Sequence, residues 1–178
     1  MKTLKIAGAV LAAAVAAVLV AASRQPDEFR IERKVVVAAA PEKVFPYLDD
    51  PLKTQEWSPW EKKDPNVKKT FSGAAKGKGA VYEWAGNKEI GVGRAEITES
   101  VPGKVVVLDL HFKEPMDGRS TVRYELTPVA GGTEVTWSMW GPNSFPAKVM
   151  CTFINMDKMV GGELEKGLAA LKAIVEKK

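Results

Sequence analysis

The stretch RIERKVVVAAAPEKVFPYLDDPLKTQEWSPW, residues 30–60, decides the fold of this chain. Its first part is rich in valine and isoleucine with charges between them, which predicts a β-strand over residues 29–38. Pro41 then stands in the first turn of a predicted helix, where its missing N–H costs nothing. That helix ends before Pro51, and residues 52–57 predict a second short helix. Two short helices therefore connect the first strand to the second.

Six strand-like segments and one long helical segment follow this stretch. The strands are predicted over residues 67–72, 79–85, 91–100, 104–113, 120–128 and 133–141. Glycine, asparagine or proline stands at the turns between most of them, as hairpins require, so the six strands form an antiparallel meander. From residue 144 to residue 178, apolar side chains recur at steps of three and four, which predicts an amphipathic helix. Gly161-Gly162 within it either kinks the helix or lets a strand approach closely.

Strand parity sorts the side chains of the meander into two faces. One face is apolar throughout: Tyr82, Trp84, Ala95, Ile97, Val106, Leu108, Leu110, Phe112, Val122, Tyr124, Leu126, Val135, Trp137 and Met139. The alternate positions are mostly charged, and they include Glu83, Arg94, Asp109, His111 and Glu125. Such alternation is typical of an antiparallel sheet with one face on the core. We therefore predict a single α+β domain over residues 28–178, with a curved sheet of about seven strands wrapped around a long C-terminal helix.

The N-terminal segment, residues 1–23, is predicted to be a signal peptide or a membrane anchor. Lys2 and Lys5 precede an uninterrupted apolar run at residues 6–22, which as a helix would be about 26 Å long. The small residues at the end of the run would suit cleavage after Ala22, whereas its length exceeds that of an ordinary signal-peptide core and favours an anchor. Positive charge on the N-terminal side predicts that side in the cytoplasm. Either alternative places the domain beyond the inner membrane, in the periplasm or outside the cell.

Charge, cysteine and histidine content argue against several classes of function. Without Lys2 and Lys5 the chain carries 24 basic and 22 acidic side chains, a balance too even to predict a nucleic-acid partner. Cys151 and His111 are single residues of their types, so neither a disulfide nor a Cys/His zinc site is predicted, and we expect no metal or cofactor. His111 falls on the polar face, which leaves no Ser/His/Asp or Cys/His catalytic set on the apolar one. The glycines of residues 73–79 lack the phosphate-loop pattern and predict a hairpin loop.

The order of these elements resembles the SRPBCC or START-like superfamily, in particular its polyketide cyclase/dehydrase and lipid transport branch. The motifs that carry the resemblance are AAPEKVF at residues 39–45, WSPWE at 57–61, YEW at 82–84 and NMDKMVG at 155–161. The resemblance covers about residues 28–176. It implies a helix-grip fold, in which the long helix closes a hydrophobic cavity inside the curved sheet. Members bind sterols, phospholipids, quinones or plant metabolites and others cyclise polyketides, so the resemblance implies a kind of cavity rather than one activity.

The leading hypothesis is a non-catalytic carrier or sensor of a hydrophobic small molecule such as a lipid, a quinone or a sterol- or hopanoid-like compound. Apolar side chains with a few polar tips suit such a guest. The membrane partner would be reached through residues 6–22. The predicted ligand-binding residues are Trp57 and Trp60 at the mouth, Tyr82, Trp84, Tyr124 and Trp137 on the sheet wall, and Phe153 and Met156 on the helix wall.

Two alternatives remain open at this level. The first is a cyclase or dehydratase acting on a polyketide-like substrate, with Tyr82 or Tyr124 moving protons and Glu61 or Asp157 reaching into the mouth. The second is a membrane-surface interaction module, which would show an open apolar groove near Trp57 and Trp140 instead of an enclosed cavity.

Overall fold

The computed structural model describes residues 2–177 of the 178-residue chain. Its strands are β1 (Glu28–Val37), β2 (Lys68–Gly73), β3 (Ala80–Ala85), β4 (Val92–Val101), β5 (Val105–Glu114), β6 (Gly118–Val129) and β7 (Gly132–Pro142). Its helices are α1 (Lys2–Ser23), α2 (Pro41–Val44), α3 (Pro46–Asp49), α4 (Pro51–Thr54), α5 (Phe145–Cys151) and α6 (Met156–Glu176), with a 3₁₀ turn at Pro59–Lys62.

The strands form one antiparallel sheet in the order β1-β7-β6-β5-β4-β3-β2. Strands β2 to β7 are therefore a continuous meander, and β1 joins it at the far edge by pairing with β7. A long C-terminal helix and short helices after the first strand complete the helix-grip fold. The predicted fold class is thus confirmed.

Pairing across the sheet keeps the apolar side chains on one face. Val122 of β6 lies opposite Met139 of β7, and Tyr124 lies opposite Trp137. Because successive side chains of a strand point to opposite faces, all four share the inner face. His111, at an alternate position of β5, has Nε2 within 3.1 Å of Oδ2 of Asp117 and does not line the cavity described below.

Helix α6 packs against β1, β7 and the 3₁₀ turn through buried residues at helical spacing. Leu164, Leu168 and Leu171 are each no more than 2% exposed. Gly161 faces β1, where an added β-carbon would lie 2.1 Å from Nη2 of Arg33. The helix runs unbroken through the glycine pair, so Gly161 does not kink the helix, and its missing side chain leaves room for the Arg33 side chain of β1.

Two predicted helices are divided in the structure. Pro46 lacks the N–H that would continue the helix begun at Pro41, so α2 and α3 form in place of one helix. The single helix predicted from residue 144 onward is two helices in the structure: α5 ends at Cys151, and α6 begins at Met156. Asn155 stands between them, and its side chain accepts a hydrogen bond from the backbone N–H of Lys158 at 2.9 Å, which caps α6.

Candidate ligand-binding cavity

A cavity of about 270 Å³ lies between the inner face of the sheet, the short helices and α6. Eleven of the fourteen residues that parity assigns to the apolar face line it. The other three, Val106, Leu126 and Val135, are buried in the core without reaching the cavity. Its volume is close to the lower end of small-molecule pockets, which is about 300 Å³. The sheet and the helix therefore do not fill the space between them.

Aromatic rings make up much of the wall. Trp57 meets Trp137 edge to face with ring centroids 5.3 Å apart, and it meets Tyr124 in the same manner at 5.9 Å. Trp60 packs on Trp137 at 5.7 Å. These edge-to-face contacts hold the ring planes in fixed orientations.

Further along the inner face, on β3, Tyr82 stacks on Trp84 with centroids 5.6 Å apart. Trp84 has room because its cross-strand neighbour is Gly93, where a β-carbon would lie 2.3 Å from the indole ring. Its Nε1 donates to the carbonyl of Ile90 at 3.1 Å. The indole is thus held in one position along the cavity wall.

A cluster of polar side chains lies where the cavity meets solvent; we refer to Gln55, Glu61, Lys69 and Tyr82 as the polar cluster. Lys69 forms a salt bridge with Glu61 and donates a hydrogen bond to Oε1 of Gln55 at 2.8 Å. The hydroxyl of Tyr82 donates to Oε1 of Glu61 at 3.4 Å. Burial, and next the negative charge of Glu61, raise the pKa of Tyr82, so its hydroxyl remains protonated. The cluster offers an ion pair and neutral hydrogen-bonding groups at one end of an apolar space.

Two deeper polar groups have no partner among residues 2–177. Nε1 of Trp137 is buried without a hydrogen bond, and the hydroxyl of Tyr124 makes none. Burial raises the pKa of Tyr124, which keeps this phenol protonated as well. By contrast, Nε1 of Trp57 donates to the carbonyl of Tyr47 at 2.9 Å.

Six of the eight predicted ligand-binding residues line this cavity: Trp57, Trp60, Tyr82, Trp84, Tyr124 and Trp137. Phe153 and Met156 do not form the predicted helix wall. Phe153 lies in the turn between α5 and α6 with 71% of its surface exposed, and both residues border a separate surface groove beside Phe29. The break capped by Asn155 turns the chain, so the apolar spacing that placed Phe153 on a continuous helix does not hold there. Val160 of α6 lines the cavity in their place.

Of the two carboxylates predicted to reach into the mouth of the cavity, Glu61 and Asp157, the structure places one at the cavity. Glu61 lines the cavity, whereas Asp157 accepts hydrogen bonds from Arg33 on β1 and does not line it. Nor is there an open apolar groove at the tryptophans: Trp57 is 2% exposed, and the guanidinium of Arg30 lies 5.1 Å from the ring centroid of Trp140.

Some lining residues were not predicted from the sequence. Gln55 reaches the cavity from the turn after α4, and Glu89 and Ile90 reach it from the β3–β4 loop. Lys69 reaches Glu61 from β2. Residues in loops carry no parity signal, and the contact between Lys69 and Glu61 depends on how the 3₁₀ turn packs on β2.

The family described as polyketide cyclase / dehydrase and lipid transport matches residues 28–176. No curated protein matches the chain. Among solved structures, protein CV1439 from Chromobacterium violaceum is 20% identical over 85% of this chain and 99% of its own, with a TM-score of 0.58. A putative uncharacterized protein from Rhizobium leguminosarum is 13% identical, with coverages of 85% and 96% and a TM-score of 0.61. The di-domain ARO/CYC StfQ from the steffimycin biosynthetic pathway is 14% identical over 84% of this chain and 51% of its own, with a TM-score of 0.61. At these identities the likeness concerns the fold.

Proposed function

Because this chain belongs to the polyketide cyclase/dehydrase and lipid transport family, we propose that it binds and carries a hydrophobic small molecule in the cavity. One observation supports this most: about 270 Å³ of space remains inside the sheet, walled by apolar and aromatic side chains, with polar groups gathered at one end. A mostly apolar cavity favours an apolar guest, because burying apolar surface is favourable. A few fixed polar groups would orient that guest.

The cyclase alternative is less well supported. A general acid or base works best when it exchanges its proton near the working pH. Burial raises the pKa of both Tyr82 and Tyr124, so neither phenol ionises near neutral pH. The carboxylate of Glu61 already accepts hydrogen bonds from Lys69 and Tyr82. These groups suit recognition of a guest better than proton transfer.

We propose further that α1 anchors the domain in the membrane and that the domain lies on the outer side. Residues 6–23 form a helix long and apolar enough to cross a bilayer. The C-terminal part of α1 packs against α5, where Ala22 is fully buried. Nearby, the large apolar side chains Phe145 and Phe153 are 50% and 71% exposed. Exposed aromatic residues beside the end of an apolar helix fit the interfacial region of a bilayer.

Native mass spectrometry of the full chain, purified from membranes in a mild detergent, tests the carrier function. We expect a defined apolar guest at near-stoichiometric occupancy. The matched control is Ala95→Leu, which places three extra carbons against the cavity from the sheet wall and should reduce occupancy. A wild-type chain that is empty, and stays empty after incubation with a membrane extract, would overturn the proposal.

A further inference from the structure

Two neighbouring donors on the cavity wall have no hydrogen-bond partner among residues 2–177. Tyr124 of β6 and Trp137 of β7 lie directly opposite each other, with ring centroids 5.2 Å apart. Both residues line the cavity and are 4% and 3% exposed. Within residues 2–177, Nε1 of Trp137 is fully buried and forms no hydrogen bond. This is unusual, because most buried polar side-chain atoms in folded proteins have a partner. The hydroxyl of Tyr124, beside it on the cavity wall, forms no hydrogen bond either.

Three other polar aromatic side chains of the wall are satisfied by the chain itself, and the fourth, Trp60, is partly exposed to solvent. Trp57 and Trp84 donate to backbone carbonyls at 2.9 and 3.1 Å, and Tyr82 donates to Glu61. The lack of partners is therefore confined to one place on the sheet wall. A buried donor without a partner costs free energy. Because both donors line the cavity, we expect a bound guest to supply the missing hydrogen-bond acceptor.

The chemistry of the two groups defines what that partner is. An indole N–H can only donate, and a phenol that stays protonated donates readily. Their complement is an acceptor oxygen. The charged residues that line the cavity, within the part of the chain that is described, are Glu61 and Glu89, both acids. Each forms a salt bridge with a lysine that does not line the cavity, Lys69 for Glu61 and Lys63 for Glu89. The wall therefore offers no unpaired cation to offset the cost of burying an anionic guest.

We infer that the guest is a neutral, largely apolar molecule that carries a carbonyl-type oxygen, and that the hydroxyl of Tyr124 donates a hydrogen bond to this oxygen. Trp137 supplies a second donor beside it. The inference rests on the proposed function, and it narrows the guest class to neutral molecules with an acceptor oxygen, such as ketones, quinones and esters. It sets aside plain hydrocarbons, which leave the donors unpaired, and free fatty acids, which are anionic.

Fluorenone and fluorene form a matched pair of probes, since both are rigid, fit a cavity of this size and differ by one carbonyl. Their dissociation constants are measured with the full chain in detergent, for the wild type, for Tyr124→Phe and for Tyr47→Phe. Tyr47 is a buried tyrosine that does not line the cavity. The infrared carbonyl stretch of bound fluorenone gives an independent readout of the hydrogen bond.

We expect Tyr124→Phe to lower the preference for fluorenone over fluorene about five- to ten-fold, the effect of one lost hydrogen bond. Fluorene affinity should be unchanged, which also shows that the variant is folded. The carbonyl stretch should lie at lower wavenumber in the wild type and in Tyr47→Phe than in Tyr124→Phe. If both probes bind but Tyr124→Phe alters neither preference nor stretch, the inference is wrong while the proposed function stands. If neither probe binds the wild type, both are overturned.

Discussion

Asp157 of α6 accepts two hydrogen bonds from the guanidinium of Arg33 on β1, with Nη1–Oδ1 and Nη2–Oδ2 distances of 3.0 Å each. Glu165, two turns further along the helix, accepts from Nε of the same arginine at 2.6 Å. Paired N–H groups matched to a carboxylate fix geometry as well as charge. The close approach at Gly161 makes room for this contact. The guanidinium thus joins the first strand to the helix that closes the cavity.

We expect Asp157→Asn to lower the thermal midpoint at neutral pH by a pH-dependent amount. Hydrogen bonds from Arg33 hold the pKa of Asp157 below its ordinary value of 3.8. A carboxyl whose pKa is lowered by folding stabilises the protein above that ordinary value, and this contribution is lost as the pH falls through the lowered pKa. The gap between wild type and variant should therefore close below about pH 4. Differential scanning calorimetry between pH 7 and pH 2.5 measures it.

The control for this series is Glu56→Gln, which changes an exposed carboxylate that forms no ion pair within residues 2–177. Its midpoint should follow the wild type at every pH. A constant gap for Asp157→Asn down to pH 2.5 would show that the carboxylate charge does not stabilise the contact.

Two glycines of α6 should respond to alanine in opposite ways. A β-carbon at Gly167 would lie 2.7 Å from the indole of Trp137 and 3.0 Å from Cδ of Pro59, so we expect Gly167→Ala to destabilise the fold by about 1–3 kcal/mol. At Gly162 nothing lies within 4 Å, and alanine should stabilise the helix by about 1 kcal/mol. Urea unfolding gives both values. Equal effects of the two substitutions would contradict the packing of α6 on Trp137.

Strand parity alone predicts most of the cavity wall, because side chains alternate between the two faces of a sheet and every second residue must therefore share a face. Once β6 and β7 pair in register, Tyr124 and Trp137 must share a face, whatever the loops do. The same argument correctly set His111 on the opposite face. Trp57 and Trp60 were assigned through the motif of the resemblance, and they come together on Trp137.

The wrong prediction of a helix wall at Phe153 and Met156 has a different origin. Apolar residues recur at helical spacing across the α5–α6 junction, so the spacing alone does not reveal that the helix is interrupted there. The side chain of Asn155, which caps α6, fixes where the second helix begins. An asparagine just before an apolar run, followed by an acid at Asp157, is the signal that could have revealed it. The polar cluster could not be predicted, since Lys69 and Glu61 meet only after the 3₁₀ turn has packed on β2.

Two leucines allow a packed core position to be compared with a position on the cavity wall. Leu168 of α6 is 2% exposed and lies outside the cavity, so Leu168→Ala should cost about 2–5 kcal/mol. Leu110 of β5 lines the cavity and is only partly buried, so Leu110→Ala should cost clearly less. Guest binding should change only in Leu110→Ala. Chemical unfolding and fluorene titration measure the two effects, and equal costs would indicate a collapsed, fully packed interior.

The proposed membrane anchor predicts which end of the domain faces lipid. Strand β1 begins beside α1 at Glu28 and ends at Val37 opposite Thr133, about 30 Å away at about 3.3 Å per residue. Phe153 should therefore lie in the bilayer interface and Val129 in water. In a Cys151→Ser background, a nitroxide label is placed at Phe153→Cys or at Val129→Cys in the full chain reconstituted into lipid nanodiscs. We expect the label at 153 to be relaxed by oxygen and shielded from a water-soluble nickel chelate, and the label at 129 to show the reverse. Equal access of the nickel chelate to both labels would rule out this orientation, because Phe153 would then be as wet as the far end of the sheet.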